Sequence, residues 1–209
     1  MEAISCQGLT KHYGNFVALD NLDLVVEEQT VFGFLGPNGA GKTTTVKMLV
    51  GLSTPSAGRA WIAGQEVIDD ALSLRSRIGY LPEVPAFYNW LTGREFLSYV
   101  GELHHLSSRE IKLRCDQYLE LVELIEAAKR KIGGYSRGMK QRLGIAQALI
   151  NRPKVLFLDE PCSALDPMGR REVLNLIEQM RTETTVFMST HILSDVERVC
   201  DVVGIINQG

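Results

Sequence analysis

A five-residue apolar run, Val31-Phe32-Gly33-Phe34-Leu35, leads directly into Gly36-Pro37-Asn38-Gly39-Ala40-Gly41-Lys42-Thr43, and no other junction constrains the fold as much. The run is uncharged and closed by glycine and proline, which suits a strand buried on both faces. Thr43 to Val50 then places Val46, Leu49 and Val50 at helical spacing. Strand, loop and helix follow one another around the pattern Gly, four residues, Gly-Lys-Thr. Glycines there let successive backbone N–H groups turn inward around phosphate oxygens, through positive φ and close approach without a Cβ. Lys42 supplies a mobile cation for β and γ phosphates; at ~4 Å and an effective dielectric of about 20 such a pair gains ~4 kcal/mol before desolvation. Thr43 can offer its hydroxyl to magnesium, and the helix points its positive end at the nucleotide. The bland alternative is a glycine turn between strand and helix. The buried strand before the loop and the amphipathic helix after it favour nucleotide binding.

The chain has 209 residues, 45% apolar and 22% charged, enough to bury a sizeable core and unlike a disordered composition. Its net charge is 22 − 25 = −3, which argues against a general binder of nucleic-acid backbones but leaves room for a local basic groove. The longest stretch without a charge, Gln29 to Gly41, has 13 residues and four glycines, whereas a membrane helix needs ~20 mostly apolar ones. No bilayer span is expected. The start, Met1 to Cys6, has neither the basic segment nor the apolar run of an export signal. Cys6, Cys115, Cys162 and Cys200 are far apart, so a reduced cytosolic protein is the simplest expectation.

The first 35 residues read as short strands, with Leu22, Leu24 and Val26 on one face of one of them. From Pro85 to Pro153 the pattern turns helical. Phe96, Val100 and Leu103 line one segment. Ile111, Cys115, Tyr118, Val122 and Ile125 line a second, opened by Ser107 and Glu110 as a capping box, and Met139, Leu143, Ala146 and Ile150 line a third. Afterwards come a buried strand at Val155 to Leu158 and a helix with Val173, Leu176, Ile177 and Met180. A strand at Thr184 to Met188, a short helix past His191 and a last strand at Val202 to Ile206 complete the chain. Alternating strands and helices predict a largely parallel sheet with helices on both faces. Residues 1–84 and 154–209 are expected to form a core, and 85–153 an inserted helical subdomain. Asp159 and Glu160 close the buried strand; side chains alternate there, so one carboxylate can face magnesium and the other an attacking water. A solvated strand end is the alternative, and it loses ground once the strand is paired with the phosphate loop.

Together these residues resemble the ATP-binding subunits of ABC transporters, over nearly the whole chain. Tyr13, in Lys11-His12-Tyr13-Gly14, matches the aromatic that stacks on adenine. Gly36, Pro37, Asn38, Gly39, Ala40, Gly41, Lys42, Thr43 and Thr44 match the Walker A loop, and Val155 to Glu160 the Walker B strand with its catalytic glutamate. Ser163-Ala164-Leu165-Asp166 matches the D-loop of the dimer interface, and Ser189-Thr190-His191 the switch histidine that contacts the γ-phosphate. Tyr135-Ser136-Arg137-Gly138-Met139 looks like the signature Leu-Ser-Gly-Gly-Gln, matching at Ser136 and Gly138. A plain helix cap at Ser136 is the other reading of that segment.

The resemblance implies an α/β fold: a P-loop NTPase core with a mostly parallel sheet, an N-terminal antiparallel β subdomain and an inserted helical subdomain. It implies ATP and Mg2+ as cofactors. Lys42 would hold phosphates, Thr43 and Asp159 the metal, Glu160 would polarise water and His191 sense the γ-phosphate. It also implies a head-to-tail pairing with a second ATP-binding subunit, in which Ser136, Gly138 and Asp166 serve the other copy's nucleotide. A separate transmembrane permease is the expected partner, at the inner face of the cell membrane, with no nucleic acid.

Glu83, in Ile78-Gly79-Tyr80-Leu81-Pro82-Glu83, stands where the family's Q-loop usually has glutamine. It can still offer oxygen to magnesium, while removing an amide donor. Glu83 with the Tyr-Ser-Arg-Gly-Met segment is similar to the drug and sodium exporter branch. Phe87, Tyr88 and Trp90 either border a groove for a helix of the membrane subunit or pack the helical subdomain. His104, His105 and Lys129-Arg130-Lys131 read as solvated surface. Relatives usually continue past the position of Gly209, so a further segment is expected. Two rival functions remain at this level: a soluble ABC-type ATPase acting on nucleic acid or ribosomes, and a binding-only regulatory module.

Overall fold

The computed structural model describes residues 1–67, 72–163 and 165–209. Two twelve-residue strands, β1 (Glu2–Tyr13) and β2 (Phe16–Glu27), form a hairpin over a turn at Gly14, whose φ is +59°. The several short strands expected here are therefore two long ones; register shifts near Gly8, φ +57°, bend β1 without ending it. With β4 (Ala57–Ile62) and β5 (Gln65–Glu66) they make an antiparallel sheet ordered β2-β1-β4-β5. Leu22, Leu24 and Val26 face inward from β2 as the alternation predicts.

The second sheet is parallel and has the order β6-β7-β8-β3-β9. Its strands are β3 (Val31–Leu35), β6 (Ile78–Leu81), β7 (Val155–Asp159), β8 (Thr185–Thr190) and β9 (Val202–Ile205). All five residues of β7 and all six of β8 are buried, as expected for strands covered on both faces. Leu35 pairs with Thr190 and Asp159 with Ser189, so three strands end level with one another. The segments after them emerge at one edge, which is where open α/β sheets place ligands.

The helices are α1 (Lys42–Leu49), α2 (Leu72–Arg75), α3 (Gly93–Leu103), α4 (Ser108–Leu121), α5 (Arg137–Leu149), α6 (Pro167–Met180) and α7 (Leu193–Val199). α3, α4 and α5 all fall between β6 and β7. The Ser107–Glu110 capping box is present on α4, and a second, Thr92–Glu95, opens α3. Two assignments to buried stripes need correction. Leu103 is the last residue of α3 and is 59% exposed, and Ile125 lies beyond the end of α4 and is also exposed. Past the end of α4 the periodicity no longer places Ile125, and Leu103 sits on the final residue of α3, at the rim of the helix's buried stripe.

Between the two sheets, Phe187 packs on Phe32, Phe34 and Phe157 with centroids 5.2 to 5.5 Å apart. A second core, including Leu143, Ala146, Leu156 and Ile177, joins α3 to α6 with the other face of the parallel sheet. Phe87 belongs to that side, edge-on to Phe96 at 5.1 Å. Tyr88 and Trp90 are exposed and clustered with Tyr99, tilted and edge-on, so of the three aromatics only Phe87 packs the helical subdomain's core. The cysteines are unpaired, and burial pushes the thiols of Cys6, Cys162 and Cys200 up to about 12, which keeps them protonated at neutral pH.

Candidate functional site

At the edge where β3, β7 and β8 end lies a cavity of about 500 Å³. Tyr13, Phe16 and Ala18 line one end of it, and Asn38, Gly39, Gly41, Lys42, Thr43, Thr44, Glu83, Glu160, Ser163 and His191 the rest. The loop after β3 holds its shape through backbone conformations that favour glycine: φ is +82° at Gly39 and +104° at Gly41. A Cβ on Gly41 would stand 2.5 Å from the carbonyl oxygen of Ala18, and one on Gly36 would stand 2.4 Å from that of Ile206. Gly36, Pro37 and Ala40 back the loop.

Lys42 is buried, its Nζ donating to Gly36 O at 2.9 Å and Pro37 O at 3.2 Å. The same nitrogen lies 3.2 Å from Glu160 Oε1. That contact is an ion pair without hydrogen-bond geometry, so Oε1 is a buried carboxylate oxygen with no hydrogen bond of its own. The other oxygen, Oε2, is 2.9 Å from His191 Nδ1. An ionised carboxylate only accepts, so the ring donates from Nδ1. Glu160 adopts φ +48°, a left-handed conformation uncommon for a side-chain-bearing residue, and its N–H donates to Ser189.

Asp159 is held differently. Its Oδ1 accepts from Ser189 Oγ at 2.5 Å and from Thr43 Oγ1 at 3.2 Å. The adjacent carboxylates therefore occupy distinct settings, but not through the strand alternation expected of them: β7 ends at Asp159, and the left-handed backbone at Glu160 turns the second carboxylate away. At the far end Tyr13 and Phe16 face each other across the hairpin register and are 50% and 62% exposed. Lys11 Nζ lies 5.1 Å from the Tyr13 ring centroid and donates to Thr54 O, pinning that ring from one side.

Ser136, Gly138 and Asp166 do not join this cavity. Ser136 caps α5, accepting from Met139 N–H at 3.2 Å, and Asp166 caps α6, accepting from Gly169 N–H at 3.0 Å; both are exposed. Ala164, part of the D-loop match, lies outside the described residues. Sequence reasoning gave no site role to Phe16 or Ala18, and named Ser163 and Ser189 only as members of the D-loop and switch-histidine matches. Phe16 could have been found from its place opposite Tyr13 across a two-residue turn; the role of Ser189 depends on register with β7 and had no local signal.

Fold and cavity together define a phosphate-loop nucleotide-binding protein. A family model described as ABC transporter matches residues 19–163. Over 206 residues the chain is 48% identical to an uncharacterized ABC transporter ATP-binding protein, YxlF, of Bacillus subtilis, covering 99% of this chain and 68% of that one. It is 42% identical to the daunorubicin resistance ATP-binding protein DrrA3 of Streptomyces coeruleorubidus, covering 99% and 66%. It is 43% identical to the bacitracin transport ATP-binding protein BcrA of Bacillus licheniformis, covering 99% and 67%. Among solved structures, cbiO1 of Clostridium perfringens, part of the ABC transporter complex cbiONQ, superposes with a TM-score of 0.91 at 28% identity, covering 100% of this chain and 86% of that one. A dimeric post-hydrolysis state of the ATP-binding cassette MJ0796 bound to ADP and Pi superposes with 0.87 at 26% identity, covering 99% and 95%. The chain belongs to the ABC transporter family, as one of its ATP-binding subunits, which are ATPases. It spans about two thirds of the length of these curated relatives. Their names speak of transport and resistance, not of nucleic acid or ribosomes. Among the described residues no helix is long and apolar enough to cross a membrane.

Proposed function

We propose that the chain binds ATP with Mg2+ in the 500 Å³ cavity and hydrolyses it to drive a separate transmembrane permease, in the direction of export. The observation that carries the reading is Glu160, held between Lys42 and His191 with one buried oxygen left without a hydrogen bond. That oxygen is the acceptor for a proton from water as the water oxygen attacks the γ-phosphorus. The bond to the bridging oxygen breaks, leaving ADP and phosphate.

Tyr13 stacks on the base, while the amides of Gly36 to Thr44 and Lys42 hold the phosphates. Thr43 Oγ1 and the carboxylates of Asp159 and Glu83 are hard oxygen donors at the phosphate end, a set that suits Mg2+ held by one or two carboxylates plus phosphate. The metal would neutralise charge on the phosphates. His191 donates to Glu160 through Nδ1 and reaches the γ-phosphate with the rest of its ring.

Ser136, exposed, and Gly138, half-buried, at the start of α5, and Asp166, exposed at the start of α6, serve the nucleotide of a second copy in a head-to-tail dimer. Residues 1–84 and 154–209 act as the ATP-binding core and 85–153 as a helical subdomain. The exposed cluster of Tyr88, Trp90 and Tyr99 lies on the latter and receives a helix of the permease. Export is supported by the relatives named for daunorubicin resistance and bacitracin transport. The chain would work at the cytoplasmic face of the membrane.

The test is phosphate release from ATP by the purified chain, with and without Mg2+, alongside nucleotide binding by Tyr13→Ala. Release that requires Mg2+ is expected. Loss of the stacking ring is expected to weaken ATP binding by ~10-fold, since a base–aromatic stack contributes about 1–3 kcal/mol. Phosphate release indifferent to Mg2+, or unchanged affinity in the variant, would contradict the assignment.

A further inference from the structure

Arg170 lies in the first turns of α6, four residues after the cap Asp166, and its side chain reaches the first turn of α7. Its Nε donates to Asp195 Oδ1 at 2.6 Å and its Nη2 to Ser194 Oγ at 2.8 Å. Asp195 is 1% exposed, and its second oxygen, Oδ2, is buried without a hydrogen bond. A carboxylate in that setting needs its cation, because an unpaired buried charge is far costlier than the pair is stabilising.

The two helices joined here are continuations of the two catalytic segments. α7 begins two residues after His191, and α6 ends the stretch that starts at Glu160. On the strand side, Ser189 already ties the segments by accepting the N–H of Glu160 and donating to Asp159. The Arg170 fork joins them again at their far ends. Cys162, two residues after Glu160, feels both Asp195 and Arg170, which puts the ion pair beside the same segment.

We propose that Arg170 is a positioning residue for ATP hydrolysis: its fork onto Ser194 and Asp195 holds the segment carrying His191 against the segment carrying Glu160 and so sets their 2.9 Å contact. The inference rests on the hydrolytic roles given above to Glu160 and His191. A guanidinium is suited to the task because it donates in two fixed directions at once, which an ammonium does not.

The experiment measures kcat and KM for ATP, ADP affinity and melting temperature for the full chain and for Arg170→Lys and Ser194→Ala. Arg171→Ala, at the exposed neighbouring arginine, is the control and is expected to match the parent. Arg170→Lys keeps the charge and loses the fork. It is expected to lower kcat by ~10-fold, a displacement of under ~1 Å, while KM and ADP affinity stay within about twofold. Ser194→Ala leaves the ion pair intact and is expected to lower kcat by ~3-fold with the same split; it decides the matter if Arg170→Lys does not fold. Full kcat in either folded variant overturns the inference, as does a loss that tracks melting temperature and ADP affinity equally. A parent chain that releases no phosphate would instead overturn the hydrolytic reading, and this inference with it.

Discussion

Glu160→Gln is expected to lower kcat for ATP hydrolysis by ~100-fold or more while ADP affinity stays close to that of the parent, the range for losing a general base. The choice between the two adjacent carboxylates follows from what each already binds. Asp159 Oδ1 accepts from both Ser189 and Thr43, so that oxygen is committed to holding the β7 end against α1. Glu160 has a buried oxygen with no hydrogen bond, beside Lys42 Nζ, and its second oxygen is oriented by His191. Glutamine matches the shape and cannot take the proton. Its amide still meets the ring, so the cavity keeps its form and Tyr13, the loop and Lys42 keep their places. Stopped-flow phosphate release beside calorimetric ADP binding separates the two effects. Parent-like turnover would remove Glu160 from the chemistry, and a parallel loss of ADP binding would make it structural.

Gly79→Ala is expected to destabilise the fold by ~3 kcal/mol, lowering the melting temperature by roughly 6–12 °C for a chain of this size. A Cβ at Gly79 would stand 2.1 Å from the carbonyl oxygen of Ala148 and 2.9 Å from its carbon. These are backbone atoms of α5 and cannot rotate away, so the helix must lift from β6. The lift moves the element that presents Ser136, 12 residues before Ala148 in sequence. The variant should therefore lose ATPase activity beyond its loss of folded protein. Thermal unfolding followed by circular dichroism checks the first part; a melting temperature unchanged from the parent would mean that α5 does not approach β6 as described.

How much of this was legible in the sequence varied with the range of the interaction. Val31 to Leu35, the glycine loop and α1 are contiguous, and their order carries the local chemistry that shapes them. Asp159 and Glu160 were legible because a buried strand ending in carboxylates is unusual, although what separates the pair is the left-handed turn at Glu160 just past β7, which has no local signal. The capping box at Ser107 and Glu110 is likewise local. β4 and β5 carry no comparable pattern: β4 exists because β1 offers an edge about 50 residues away, and β5 because β4 does. Ser189 acquires its role from register with β7, and Phe16 from its partner across the hairpin. Ile125 followed the right period past the end of its helix, and Leu103 followed it to the last residue of its own. Arg170 and Asp195, 25 residues apart, carry no local signal of their pairing, which exists only because α6 and α7 are brought together.

The central claim is that ATP is clamped between the Lys42 loop of one copy and Ser136 and Gly138 of another. Light scattering on the Glu160→Gln chain, with and without MgATP, tests it most directly, with Ser136→Arg in the same background as the comparison. A shift from monomer to dimer mass on adding MgATP, abolished by Ser136→Arg while ATP binding persists, is the expected result. A nucleotide-saturated Glu160→Gln chain that stays at monomer mass, or a dimer indifferent to Ser136→Arg, would contradict it.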